Sequence, residues 1–307
     1  MPMPRDIPIV DTMIGFKHAD VRSAYTGLRN LTRDRQTREE FSFPVEYIFK
    51  DVPDGDLEGD PIAVTLSEMD RHGVVTGLVS IGDETGRRAV GQHPTRFAGT
   101  LDIQPATGLD AAAVLRTAAA TQAGLRAVST MPAATPEQFR LDHPIWVPVY
   151  ETCIELGLPL FMCMGVPGPR VQMAVQQPEI LDEVCAAFPK LVVVIRHGCE
   201  PWQDVAIALM EKWPNLYYST SAFAPKHYPA EIIYFANNGG ADKVLYAGYY
   251  PMGLSLERIM VELDNLKLDE DVWPKFLNGN ATRLLGLASA GRSTQSKRQP
   301  ADTPARS

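Results

Sequence analysis

The side chains of this sequence best suited to chemistry form a short set: His197, Cys163, Tyr249, Tyr250, Asp11, Glu200 and the arginines Arg196, Arg170 and Arg126. His197 stands between Arg196 and Gly198, and an imidazole so placed is a general acid or base near neutral pH, or else a structural histidine satisfied by hydrogen bonds under the loops. Cys163 is a nucleophile if a neighbouring cation lowers its thiol pKa, and a core cysteine otherwise. Its neighbours Met162 and Met164 predict apolar surroundings, which raise that pKa instead. Tyr249 offers a phenol to a substrate oxygen or acts as an acid opposite His197, while packing and backbone bonding are the alternative for it and for Tyr250. Asp11 orients a base, holds substrate, or caps a turn. The arginines suit bidentate capture of a carboxylate, and Glu200 accepts from a hydroxyl or amine, although surface ion pairing is the ordinary use of either type. The catalytic candidates are therefore His197, Tyr249, Asp11 and Cys163, and the substrate-binding candidates Arg196, Glu200, Arg170 and Tyr250.

These residues need a scaffold, and the sequence supplies a rhythm for one. Between residues 70 and 287 short β-branched runs alternate with punctuation and helical patterns, the signature of βα units. The expected strands are Ile7–Val10, Thr76–Ile81, Phe97–Gln104, Leu125–Ser129, Leu158–Met162, Leu191–Arg196, Leu216–Thr220 and Lys243–Ala247. Runs such as Leu191-Val-Val-Val-Ile195 are apolar without alternation, as expected of parallel strands covered on both faces. Helices are expected after Asp60-Pro61, from His143 to Gly157, and over 203–213 and 255–266, with caps and apolar spacing to match. Eight strands alternating with helices predict the α/β class and one (β/α)8 TIM barrel over residues 1–287, whose chemistry belongs at the C-terminal ends of the strands. Residues 16–58 form an expected inserted loop over that mouth, and residues 288–307, nearly devoid of large apolar side chains, an expected disordered tail.

Composition narrows the classes of function. The 307 residues carry 29 Lys+Arg against 37 Asp+Glu, a formal charge of −8. Nucleic acid is not an expected partner, since phosphate binding needs a concentrated cationic face. With 45% hydrophobic and 21% charged residues, no run of about 18 apolar residues and no signal-peptide core, the chain is expected to be cytoplasmic and off the membrane. The four cysteines fit neither a zinc knuckle nor a disulfide scaffold. Gly165-Val-Pro-Gly-Pro-Arg170 lacks the spacing of a phosphate loop, and Ser219-Thr-Ser221 lacks a nucleophile elbow. The sequence therefore predicts no cofactor, and a small-molecule substrate.

A succession of short motifs adds a resemblance. Met69-Asp-Arg-His-Gly-Val-Val75, Arg96-Phe97, Gly157-Leu-Pro159, Val194-Ile-Arg-His-Gly198 with Pro201-Trp202, Lys243-Val-Leu-Tyr-Ala-Gly-Tyr-Tyr-Pro251 and Gly279-Asn-Ala-Thr-Arg-Leu-Leu-Gly286 together resemble the amidohydrolase-related barrels, of the kind that includes aminocarboxymuconate-semialdehyde decarboxylase. The resemblance implies a hydrolase or carbon–carbon lyase, and a possible homodimer for which the aromatic segment 41–49 offers a surface. It also implies a divalent metal held by a His-x-His pair after the first strand, two further histidines and an aspartate. Here the pair reads Met13 and Gly15, the next histidine position Cys163, and the aspartate position Tyr249, leaving His197. One imidazole with a possible thiolate is too few for a tetrahedral site, so no metal is expected. Two readings follow: a metal-independent enzyme hydrolysing or decarboxylating a small carboxylate or cyclic substrate, or a catalytically degenerate barrel that binds a ligand or partner.

Overall fold

A computed structural model describes residues 2–17, 26–39, 59–135 and 137–288. Eight parallel strands follow one another around a single sheet in chain order: β1 Ile9–Asp11, β2 Val74–Ser80, β3 Phe97–Asp102, β4 Leu125–Thr130, β5 Leu160–Cys163, β6 Val193–Arg196, β7 Leu216–Ser219 and β8 Val244–Leu245. The expected TIM barrel is the observed architecture. Its seam is closed outside the strand ladders, where the Thr12 N–H donates to the Tyr246 carbonyl at 3.2 Å and the Thr12 hydroxyl to the same oxygen at 2.7 Å. β8 is shorter than the expected Lys243–Ala247 because the Tyr246 N–H turns to the Phe276 carbonyl at 3.0 Å instead of continuing the ladder.

The helices are α1 Thr26–Leu31, α2 Arg35–Glu39, α3 Pro61–Arg71, α4 Glu84–Gln92, α5 Ala111–Thr121, α6 Val147–Leu156, α7 Ile180–Ala187, α8 Gln203–Lys212, α9 Ala230–Phe235, α10 Leu256–Leu263 and α11 Asn280–Leu284, of which α3 to α10 follow the strands around the outside of the sheet. Local chemistry starts and stops them. Asp83, Asp110 and Ser255 accept from the amides of Gly86, Ala113 and Arg258, each satisfying a helix-end donor that has no intrahelical partner. Gly157 ends α6 in the left-handed conformation at φ 65°. Asp60 precedes Pro61 as expected but makes no capping bond; its carboxylate faces Arg88 instead. Of residues 16–58, expected as an inserted loop, α1 and α2 are described; residues 18–25 and 40–58, the aromatic stretch 41–49 included, and the expected tail from 289 to 307 lie outside the described residues.

Two apolar layers position the site. The larger lies between sheet and helices. The smaller fills the barrel itself: Val10, Leu78, Ala98, Ala127, Phe161, Val194 and Leu245 come from seven strands, Tyr217 of β7 packs against them, and Ala281 and Leu285 of α11 and the turn after it close the N-terminal end. Strand side chains alternate faces, so the residue two positions further along each strand also points inward, one layer nearer the C-terminal mouth. That next layer reads Thr12, Ser80, Thr100, Ser129, Cys163, Arg196, Ser219 and Ala247. It is almost wholly polar. All four cysteines are free and buried. Among the described residues no helix is long and apolar enough to cross a membrane.

Candidate functional site

The polar layer is held together by its own contacts. Ser129 donates to the Asp102 carboxylate at 2.6 Å, and Thr12 and Ser219 share a hydroxyl contact at 3.3 Å. From β6, the Arg196 guanidinium donates to the Cys163 thiol of β5 at 3.4 Å. His197 follows Arg196 and by strand alternation should point to the opposite face. Its backbone departs from the strand instead, at φ 65°, and the imidazole comes back so that Nδ1 lies 3.9 Å from the same sulfur. The His197 N–H donates to the Ser221 hydroxyl at 3.2 Å, which holds the turn. Gly198 sits beneath it at φ 82° with Phe223 against its α-carbon, leaving no room for a side chain.

Tyr249 enters from the end of β8. Its N–H donates to the Met13 carbonyl at 2.9 Å, and its ring meets His197 edge-on with centroids 5.6 Å apart. Tyr249 too has a left-handed backbone, at φ 62°. Two adjacent site residues without glycine's freedom are therefore held in a sparsely populated conformation, a form of strain that recurs at functional sites. Met13, Cys163, Arg196, His197 and Tyr249 thus form one connected group.

Asp11 lies in the floor under this group. One carboxylate oxygen accepts from the Met13 and Gly248 amides, each at 2.9 Å, and the other is buried without a partner among the described residues. A β-carbon on Gly248 would stand 2.5 Å from that second oxygen and 2.7 Å from the Tyr246 hydroxyl, itself buried and unpartnered among the described residues. Burial pushes the Asp11 carboxyl up to about 7, against the two amides that pull it down.

Electrostatics fix the protonation of the rest. Burial, reinforced by the Arg196 charge, lowers the His197 imidazole to about 3, so it is neutral near pH 7 and has no imidazolium proton to give. Burial raises the Cys163 thiol although Arg196 opposes it, so the sulfur keeps its hydrogen; the direction is the expected one, but Met162 and Met164 lie in the outer core and the sulfur's partners are Arg196 and His197. Burial pulls the Arg196 guanidinium down, but Cys163 and Asp102 outweigh it and the pKa is raised. The cation persists in the site.

The other expected residues are dispersed. Tyr250 packs in the outer core, where burial lifts its phenol to about 12 and its charge neighbour is Glu68 of α3. Arg170 donates to Asp34 and Gln36, joining the loop after β5 to the start of α2. The Glu200 side chain is exposed beyond β6. Arg126 is a correction to the sequence reading: it occupies the N-terminal end of β4 and bonds the Ala123 and Leu125 carbonyls, at the opposite end of the barrel from Cys163. Clefts of about 740 and 490 Å³ open at that same far end and do not include the polar layer. Asp102, Ser129, Ser80 and Ser219 were missed as individual residues. Counting in twos from the apolar core of each strand would have found them.

The implied metal can be tested against these donors. Met13 offers a thioether, Gly15 nothing, Tyr249 a phenol and Cys163 a protonated sulfur, while a permanent cation lies 3.4 Å from that sulfur. Among the described residues no three His, Cys, Asp or Glu side chains are grouped to hold an ion. The described residues at these positions do not fit a divalent metal.

A sequence model of the amidohydrolase family matches residues 44–287. No curated protein matches the chain significantly. Among solved structures, an uncharacterised TIM-barrel protein from Bordetella bronchiseptica superposes with a TM-score of 0.71 at 23% identity, over 91% of this chain and 98% of that one. A 5-carboxyvanillate decarboxylase from Sphingomonas paucimobilis gives 0.62 at 21%, over 92% and 100%. A probable 2-pyrone-4,6-dicarboxylic acid hydrolase from Acinetobacter baumannii gives 0.60 at 15%, over 92% and 100%. Likeness at these identities establishes the fold; function has to be argued from the site.

Proposed function

The chain belongs to the amidohydrolase family, and from that premise we propose that it is a metal-independent enzyme hydrolysing or decarboxylating a small carboxylate or cyclic substrate at the C-terminal mouth of the barrel. The observation that carries this reading is the connected group Cys163, Arg196, His197 and Tyr249, with two left-handed backbones maintained in it. The similar solved structures include one decarboxylase and one probable hydrolase named for carboxylate compounds, which agrees with a buried guanidinium as the substrate's anchor. Arg196 takes the carboxylate, Tyr249 donates to a substrate oxygen, and His197 and Cys163 shape the pocket between them. Asp11 belongs to the supporting floor, and Glu200 and Arg170 to the rim. A cytoplasmic location, no nucleic-acid partner, and a homodimer complete the proposal.

The test is turnover by the purified chain of 5-carboxyvanillate, 2-pyrone-4,6-dicarboxylate and simple lactones and esters, before and after exhaustive chelation. Turnover that survives chelation and drops by at least about a hundredfold in Arg196→Gln is expected, the scale of losing one preorganised donor to developing negative charge. Activity that vanishes on chelation and returns with one equivalent of metal overturns metal independence. A second reading, a degenerate barrel that binds without catalysing, is favoured by one observation: His197 is neutral and Cys163 protonated near pH 7, leaving neither poised for proton transfer. Binding of these carboxylates without turnover selects it.

A further inference from the structure

We propose that Cys163 and Arg196 fix His197 as an Nε2–H donor, so that the barrel mouth is an oxyanion pocket built around a resident guanidinium rather than a metal. The ligand chemistry is an anionic oxygen, a carboxylate or the oxyanion of a reacting carbonyl. The inference deepens the function proposed above and rests on it for the ligand class.

The direction of each bond follows from which groups can donate. Arg196 has only hydrogens to offer, so at 3.4 Å it donates to a Cys163 lone pair. The buried thiol keeps its own hydrogen and needs an acceptor, and among the described contacts His197 Nδ1, at 3.9 Å, is the one available. A neutral imidazole that accepts at Nδ1 carries its hydrogen at Nε2. That Nε2 is buried and without a partner among the described residues, as is the Nε of Arg196. An unmet buried donor is costly, on the order of 1–3 kcal/mol, and is retained where a ligand supplies the acceptor. The arrangement also exists only because the His197 backbone is left-handed: in a continuing strand two consecutive side chains could not both reach one sulfur. Cys163 is on this account a positioning residue, setting the tautomer of the histidine that touches the ligand, and Arg196 holds the place of positive charge that a dication would otherwise take.

Long-range 1H–15N correlation spectra of the uniformly labelled full chain read the tautomer directly. His197 signals are assigned by their loss in His197→Gln. Between pH 6 and 8 the expected pattern is a neutral Nε2–H imidazole, whose Nε2 resonance shifts as sodium benzoate is titrated in. Cys163→Ser, which keeps a donor, is expected to preserve the pattern. Cys163→Ala is expected to admit the Nδ1–H tautomer and to weaken benzoate roughly tenfold, the size of one lost hydrogen bond to a charged group. An Nδ1–H or imidazolium pattern in the wild-type chain overturns the proposal without recourse to any variant, as does a tautomer unmoved in Cys163→Ala. Selective broadening of His197 by one equivalent of Mn2+ overturns the role given to Arg196, and benzoate that leaves Nε2 unshifted overturns the ligand class. If all the spectra are as expected and no substrate turns over, the enzyme reading alone has failed.

Discussion

Asp11 shows how one buried atom sets a measurable property. Its folded pKa, about 7, is raised above the ordinary carboxylate value of 3.8, so the native state holds a proton that the unfolded chain releases. The associated stability is fully present below pH 3.8 and is lost progressively as pH rises through 7. The span corresponds to roughly 4 kcal/mol as an upper scale. Denaturant melts at pH 5 and pH 8 are therefore expected to show wild type losing more stability than Asp11→Asn over that interval. Equal losses in the two chains would show that the Asp11 carboxyl does not retain a proton in the fold. His197 contributes in the opposite sense, since its pKa is depressed to about 3: a basic group held neutral costs stability when pH falls below its ordinary 6.5 and the unfolded state takes the proton. Cys163, Arg196 and His197 each carry generic residue chemistry; only their meeting at one sulfur gives them definite proton positions.

At the scale of elements, the site depends on strand ends that abandon regular geometry within two residues of the ladder. β6 ends at Arg196 and turns through His197 and Gly198, and β8 ends at Leu245 and reaches Tyr249 by way of Gly248. The two glycines do different work. Gly198 combines a positive φ with Phe223 in van der Waals conflict with any β-carbon, whereas Gly248 leaves room for the Asp11 carboxylate and the Tyr246 hydroxyl. Gly248→Ala is expected to cost about 1–3 kcal/mol by overpacking and to displace the Tyr249 ring from His197. Thermal melts together with the His197 ring-proton shifts measure both effects. A variant with wild-type stability and unchanged shifts would show that the floor tolerates a methyl group and does not position Tyr249.

For the molecule as a whole, closure is uneven. Strands β2 to β6 pair through ladders of three or four residue pairs, but the seam between β8 and β1 rests on bonds beyond the strands: Thr12 to Tyr246, Tyr249 to Met13, Gly15 to Tyr250 and Gly248 to the Asp11 carboxylate. Regions held by few backbone bonds open at lower free energy than the global transition. Native-state hydrogen exchange is expected to show the Thr12 and Gly248 amides exchanging at least about tenfold faster than those of Phe161 and Val194; uniform protection around the barrel would contradict a weak seam. The sequence on its own determined the eight-stranded barrel and its chain order, because apolar runs of strand length and helix caps are local patterns set by burial and backbone hydrogen bonding. Residue type alone puts Arg126 with the carboxylate-binding arginines, although its place second in the expected strand Leu125–Ser129 already sets it at the end away from the mouth. Tertiary structure alone decided that Arg196 and His197 converge on Cys163, that Tyr250 faces the outer core, and that Asp11 holds its proton. Each of those depends on a left-handed turn, a neighbour more than thirty residues away or the depth of burial, and none of these is encoded in any short stretch of chain.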